Sequence, residues 1–198
     1  MRKFWKGVSV LLFLTALSFL IDDQIYSLMV LFQNPFLDKI MFFFSSLGGL
    51  AIGLPFILIA LLLLEANKKG KIASNLLIAV IVDLIIVAFL KIIVGRERPQ
   101  TEQIANLEVY LPSFPSAHSS RAFAIFNTLN KYYSKPFLFY SIASLIAISR
   151  IYFRVHYLSD VMAGLVIGLV VSDFVVENNI GERISKKLFK KSRLISNT

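Results

Sequence analysis

Three short segments gather the residue types that handle a negatively charged group: KIIVGRERP at 91–99, FPSAHSSRAF at 114–123 and SRIYFRVHYLSD at 149–160. In the third, His156 and Asp160 are four apart, so on a helix the carboxylate lies beside the imidazole. Such a carboxylate fixes the tautomer, raises the basicity of the far ring nitrogen and stabilises an imidazolium. Arg150 and Arg154 add forked donors shaped for phosphate oxygens. In the second segment, proline followed by serine and an apolar run reads as a helix start, with Ser116 or Ser119 as N-cap. A helix N-terminus offers free backbone N–H groups to an anion, here around Ala117 and His118. In the first, Lys91 and Arg98 are about two helical turns apart, and Pro99 closes the stretch. Singly, each has a plain structural reading: snorkelling cations at a helix end, a capping serine, an exposed ion pair worth under about 1 kcal/mol. Together they offer a phosphate cradle with a candidate nucleophile and a candidate general acid, and they use both histidines of the chain.

The rest of the chain is built to lie in lipid. Of its 198 residues 57% are hydrophobic and 17% charged, with a mean hydropathy of +0.72; soluble domains carry about 25% charged residues. This predicts a single membrane-embedded domain over 1–198, ending in a basic tail at about 180–198. Spans are expected at 4–21, 40–64, 72–94, 119–135, 136–149 and 157–176, with 24–33 too short to cross and lying at the interface. A cleaved leader is the competing reading of the first. Gly48, Gly49, Gly53 and Pro55 point to a bent or close-packed second span. The fold class expected is therefore an all-α integral membrane protein, a bundle of six transmembrane helices with a short interfacial helix and an extracytoplasmic loop.

Six spans place both termini on one side, together with fourteen of the 21 lysines and arginines, which makes that side cytoplasmic. Six of the other seven (Lys91, Arg96, Arg98, Arg121, Arg150 and Arg154) fall in the three segments, all on the outer face. Topology gives no reason for cations there, whereas a bound anion does. The net charge of +9 sits in short clusters beside apolar runs, which suits membrane orientation and not nucleic acid. Absence of cysteine removes disulfides, thiolate chemistry and zinc–thiolate sites. Glu97, Glu102 and Glu108 are scattered, as in a solvated loop, and form no metal-site pattern. Inside the bundle, Asp83 and Asn127 lie at similar depths and are expected to hydrogen-bond. Arg121 and Arg154 suit a second phosphate or lipid headgroups equally.

The three segments resemble the type 2 phosphatidic acid phosphatase superfamily, which shares its site with vanadium haloperoxidases and bacterial acid phosphatases. Its pattern, Lys-x6-Arg-Pro, then Pro-Ser-Gly-His, then Ser-Arg-x5-His-x3-Asp, is matched by Lys91, Arg98-Pro99, Pro115-Ser116-Ala117-His118, Ser149-Arg150, His156 and Asp160. At roughly one-in-twenty usage per residue type, the third motif alone would arise in about one of a thousand such chains. Ala117 replaces the pattern's glycine, and a loop needing positive φ there would be strained or reshaped. The resemblance implies a phosphohistidine mechanism. His156 is the nucleophile, Asp160 its orienting carboxylate and His118 the general acid and then base. Lys91, Arg98, Arg150, Ser116 and the backbone at Ala117 hold phosphate, with no metal and no cofactor.

The segment from His118 to Lys135 spans about 25 Å as a helix, less than the roughly 30 Å of bilayer hydrocarbon. A site recessed below the outer surface would receive a phosphate whose apolar tails stay in the membrane. Metal-independent hydrolysis of a membrane lipid phosphate or pyrophosphate outside the cytoplasm is the function expected, with polyprenyl pyrophosphate, phosphatidylglycerophosphate, phosphatidate and lipid A phosphate as open substrates. A transferase or a non-catalytic lipid-phosphate carrier would use the same anion site, although binding alone has no use for an oriented imidazole.

Overall fold

The computed structural model describes residues 2–49, 55, 71–99 and 111–195, and every regular element among them is helical. In chain order they are α1 (Arg2–Ser18), a 3₁₀ turn (Phe19–Ile21), α2 (Asp22–Phe32), α3 (Pro35–Gly48), α4 (Lys71–Val94), α5 (Ala117–Tyr133), α6 (Pro136–Tyr152), α7 (Leu158–Glu177) and α8 (Ile180–Ile195). Three stretches are long and apolar enough to cross a bilayer: Trp5–Phe32, Lys71–Val94 and Leu158–Glu177. The first joins the span expected at 4–21 to the piece expected at the interface, 24–33, through the 3₁₀ turn. Only the start of the expected 40–64 span, within α3, lies among the described residues, apart from Pro55.

The bundle is apolar outside and polar within. On α4, Asn75, Ala79, Asp83, Val87 and Lys91 recur every fourth residue and are buried, while Leu77, Ile81, Ile85, Phe89 and Ile92 face outward. That inversion suits a lipid surround, where polar side chains are tolerated only against protein or a polar cavity. α5 occupies the centre, packed by α4, α6 and α7, with every residue from His118 to Thr128 buried. Its neighbours, not lipid, surround its serines, Arg121 and Asn127. Hence its polar sequence survives in a membrane helix, and hydropathy alone finds it weak.

Two glycines set the closeness of α5 and α7. A Cβ on Gly164 would stand 2.5 Å from the Ser116 carbonyl oxygen, and one on Gly168 would collide with the Ser120 carbonyl. This is the small-xxx-small spacing that lets membrane helices touch backbone to backbone. The close packing read from Gly48 and Gly49 also holds for α3: a Cβ on Gly48 would come 2.6 Å from Ile146 Cγ2 and 2.8 Å from His118 Cδ2.

The hydrogen bond expected between Asp83 and Asn127 is replaced by separate partners for each. Asp83 Oδ1 accepts from the Ser120 hydroxyl. Asn127 faces away from α4, donating to Ser172 Oγ and Asp173 Oδ1 at 2.7 Å and accepting from the Tyr140 hydroxyl at 2.6 Å. The expectation aligned Lys91 with His118, but α4 runs on past the first turn of α5. Asp83 is level with Ser120, so α4 overtops the start of α5 by about 10 Å at 1.5 Å per residue.

Candidate active site

The C-terminal ends of α4 and α6 and the N-terminal ends of α5 and α7 meet at one end of the bundle, which brings all three segments together. α4 stops at Gly95, whose φ of +59° is the left-handed cap that glycine adopts without strain. Residues 96–98 then cross the mouth, tied to residue 113 by Ser113 N–H donating to Arg96 O at 2.7 Å and Ser113 Oγ to Glu97 O at 2.9 Å. α5 opens at Ala117, with the Ser116 side chain accepting from Ser119 N–H at 3.5 Å. Ala117 is helical and does not appear among the positive-φ residues Gly95, Ser134, Arg154 and Asn179. The glycine-to-alanine departure therefore carries no backbone strain here.

His156 is 3% exposed and Asp160 fully buried. Asp160 Oδ2 lies 3.3 Å from His156 Nδ1 and accepts from Tyr157 N–H at 2.9 Å. At the other side of the ring, His156 Nε2 lies 3.2 Å from Arg98 Nη1. A guanidinium can only donate and a carboxylate only accept, so the two partners assign the same tautomer: proton on Nδ1, lone pair on Nε2. Burial, with the nearby Arg98, Arg150 and Lys91 charges, pushes the His156 pKa well below 6.5. The imidazole is thus neutral at pH 7, with its free nitrogen directed at the cations.

Main-chain carbonyls hold those cations in direction. Arg98 donates to Leu111 O and Val155 O, both at 3.0 Å. Lys91 Nζ donates to Pro112 O and, at 3.3 Å, to Ser113 O. Beside them opens a cavity of about 230 Å³. It is lined by Lys91, Arg98, His118, Arg121 and His156 together with Leu84, Val87, Ala88, Ile92, Leu111, Pro112 and Ala117. The chamber therefore combines a few cationic groups with a mostly apolar lining, suited to an amphiphile with an anionic head.

Not every expected phosphate ligand lines it. Ser116 is fully buried as the α5 cap, and its N–H donates to Asp160 O at 3.0 Å. Arg150 stands behind the cavity, donating from Nη1 to Ser45 Oγ of α3. The two arginines left open by the sequence separate. Arg121 lines the cavity one turn below His118 and donates to Gly48 O. Arg154 leans over the Tyr26 ring at 5.2 Å, away from it. Two contributors escaped the sequence reading: Arg96, joined to Asp160, and Asp22, joined to Arg96. The close packing read from Gly48 and Gly49 turns out to be against the His118 ring. The cation at 96, two residues before a motif arginine, was the available signal for the first. Nothing local marks Asp22, because its contacts bridge distant parts of the chain.

Bundle and site together define a membrane-embedded phosphate chemistry, and comparison with known proteins names it. The PAP2 superfamily model matches residues 72–178; the chain belongs to that superfamily and is an integral membrane phosphatase. It is 27% identical over 202 residues to phosphatidylglycerophosphatase B of Bacillus subtilis, covering 92% of this chain and 98% of the relative. With the lipid A 4'-phosphatase of Bacteroides thetaiotaomicron it shares 30% identity over 166 residues, 75% of this chain and 72% of that one. The crystal structure of the PAP2-type phosphatidylglycerolphosphate phosphatase from Bacillus subtilis superposes with a TM-score of 0.72 at 27% identity, over 91% of this chain and 98% of the other. That of Aquifex aeolicus LpxE gives 0.66 at 25% identity, over 79% and 95%.

Proposed function

We propose that the protein hydrolyses the phosphate or pyrophosphate of a membrane lipid through a phosphohistidine at His156, on the face of the membrane away from the cytoplasm. One observation carries this: a neutral, oriented imidazole lone pair meets Arg98 at a cavity lined by cations together with apolar side chains. A glycerophospholipid phosphate, a lipid A phosphate and a polyprenyl pyrophosphate all combine such a head with an apolar chain. The relatives' names support the first two.

In the first half-reaction His156 Nε2 attacks phosphorus, and the bond from phosphorus to the lipid oxygen breaks. His118 takes the proton that the phosphate brings in as its monoanion and delivers it to that oxygen, so the lipid leaves as an alcohol, or as a lipid monophosphate from a pyrophosphate. Arg98 swings from Nε2 to an equatorial oxygen as substrate arrives. Lys91 and Arg121 take others, while Arg150 adds positive potential from behind. Asp160 accepts from Nδ1 throughout and stabilises the charged ring. Water then attacks the phosphohistidine as His118 removes its proton, the P–N bond breaks and phosphate departs. The cations neutralise the oxygens, so the chemistry runs without a metal.

The overtopping of α5 by α4 supports a recessed site, which phosphate attached to a bilayer-anchored chain can enter from the side. The distribution of lysine and arginine supports cytoplasmic termini and an outward site. Detergent-solubilised protein should release inorganic phosphate from dioctanoyl phosphatidate, and the His156→Ala variant should not. Lipid-phosphate binding with no release by the wild type would leave a carrier in place of an enzyme.

A further inference from the structure

Two arginines two residues apart, Arg96 and Arg98, have opposite surroundings. Arg98 sits on carbonyls and faces the cavity. Arg96 does not line the cavity and is clamped between two buried carboxylates. Its Nη1 donates to Asp160 Oδ1 at 2.8 Å and to Ser159 Oγ at 2.6 Å, and its Nη2 to Asp22 Oδ2 at 2.8 Å. The guanidinium lies 4.0 Å from the Tyr157 ring centroid and 5.1 Å from that of Phe19. Asp22 Oδ1 in turn accepts from Ser159 N–H at 2.9 Å and Oδ2 from Ser159 Oγ. It thus satisfies a free donor in the first turn of α7, from the far end of the sequence.

The two oxygens of Asp160 are divided by this arrangement. Oδ1 belongs to Arg96, which leaves Oδ2 for His156 Nδ1 and Tyr157 N–H. A carboxylate with only one oxygen engaged is free to turn about its Cβ–Cγ bond and to drop the ring. A guanidinium N–H on the other oxygen removes that freedom. Asp22 fixes the fork from behind. Asp22 and Asp160 are both buried, while the Arg96 side chain between them is 23% exposed.

We infer that Arg96, held by Asp22, is a positioning residue for the nucleophile: through Asp160 Oδ1 it keeps the His156 ring in its attacking orientation, and so makes the junction of α1 and α2 part of the active-site framework. This rests on the proposed role of His156 and adds a third layer behind it, supplied by Arg96, at an unspecified position of the first motif, and by Asp22, outside all three.

The test is steady-state hydrolysis of dioctanoyl phosphatidate in detergent by wild type, Arg96→Ala, Arg96→Lys, Asp22→Asn and His156→Ala, with the melting temperature of each variant recorded. Arg96→Ala should lose about 10- to 100-fold in kcat with KM within about threefold, the size expected of a group acting through another. Millimolar guanidinium should restore part of that loss, because a free cation can refill the gap between the carboxylates. Arg96→Lys should fall between, since an ammonium cannot fork. Asp22→Asn should lose several-fold. If Arg96→Ala fails to fold, the Lys and Asn variants decide alone by the same kcat and KM criterion. Wild-type kcat in the folded Arg96 and Asp22 variants, with His156→Ala inactive, would overturn the positioning role and leave the nucleophile standing. Losses that track unfolding, with no response to guanidinium, would also overturn it. Activity retained in His156→Ala would instead remove the reading on which the inference rests.

Discussion

The two ends of the central helix α5 are both polar, and they treat charge differently. At its C-terminal end, side chains pair with side chains: Asn127 with Asp173 and Tyr140, and Lys131 with Asp173 at 3.0 Å. Each charge there meets its opposite. At the N-terminal end, Lys91 and Arg98 are held by the carbonyls of residues 111–113 and 155, and Arg98 also meets His156. A carbonyl orients a cation without cancelling its charge, whereas a carboxylate does both. The first end thus resembles a structural lock. The second keeps its positive potential turned towards a cavity, which is what binding an anion requires.

Substitutions should separate the ends sharply. At the cavity end, His118→Ala should reduce kcat by about 10²- to 10⁴-fold, the usual contribution of a positioned acid and base. Arg98→Ala should follow with about 10²- to 10³-fold, as for loss of one donor to a charged transition state. Both should leave the melting temperature of the solubilised protein near that of wild type. At the lock end the pattern should reverse: Asp173→Asn should lower stability by about 1–3 kcal/mol with kcat unchanged. Equal effects on activity from both ends would erase the distinction.

The difference also appears in titration. With the His156 pKa pushed well below 6.5, the folded ring stays neutral while an unfolded one takes up a proton as pH falls through about 6.5. That group's contribution to stability is therefore intact above this pH and is lost below it, since the unfolded state binds more protons. Nitrogen NMR of ring-labelled protein, with only two histidines to assign and His118→Ala to tell them apart, should show His156 unprotonated on Nε2 at pH 6.5. A ring half-protonated there would contradict the burial and the cationic neighbours. The smallest effect should come from EDTA, with the rate unchanged; strong inhibition reversed by magnesium would put a metal where the cations are placed.

Sequence made the site more legible than the fold. Spacing linked His156 to Asp160, although the two do not share a helix: His156 precedes Tyr157, the N-cap of α7, and Asp160 in the first turn reaches back to the Tyr157 N–H and the ring. Chain parity then put Lys91, Arg98, His118 and Arg150 at one end of the bundle. What spacing does not carry is which way a side chain turns. Ser116 took the N-cap role expected of it and stays out of the cavity, Arg150 turned to Ser45, and Arg121 moved from undecided to the cavity wall. The Asp83–Asn127 pairing failed for a related reason. Depth along two helices was counted from Lys91 and His118 as if level, while α4 in fact extends past α5. The weak hydropathy of α5 has its own cause, since a helix enclosed by three others need not be apolar. Asp22 was invisible because its partners, Arg96 and Ser159, lie more than seventy residues away in sequence.

The most direct measurement is to quench the His118→Ala variant with base during a single turnover of a phosphorus-labelled aryl phosphate, whose leaving group departs without a proton from His118, and to map the label by mass spectrometry. That variant retains the attacking nitrogen but lacks the base that activates water, so label should accumulate on His156 as a base-stable, acid-labile phosphoramidate. Phenolate released with no label on the protein, or label on any other residue, would contradict a reaction in which His156 takes the phosphate first.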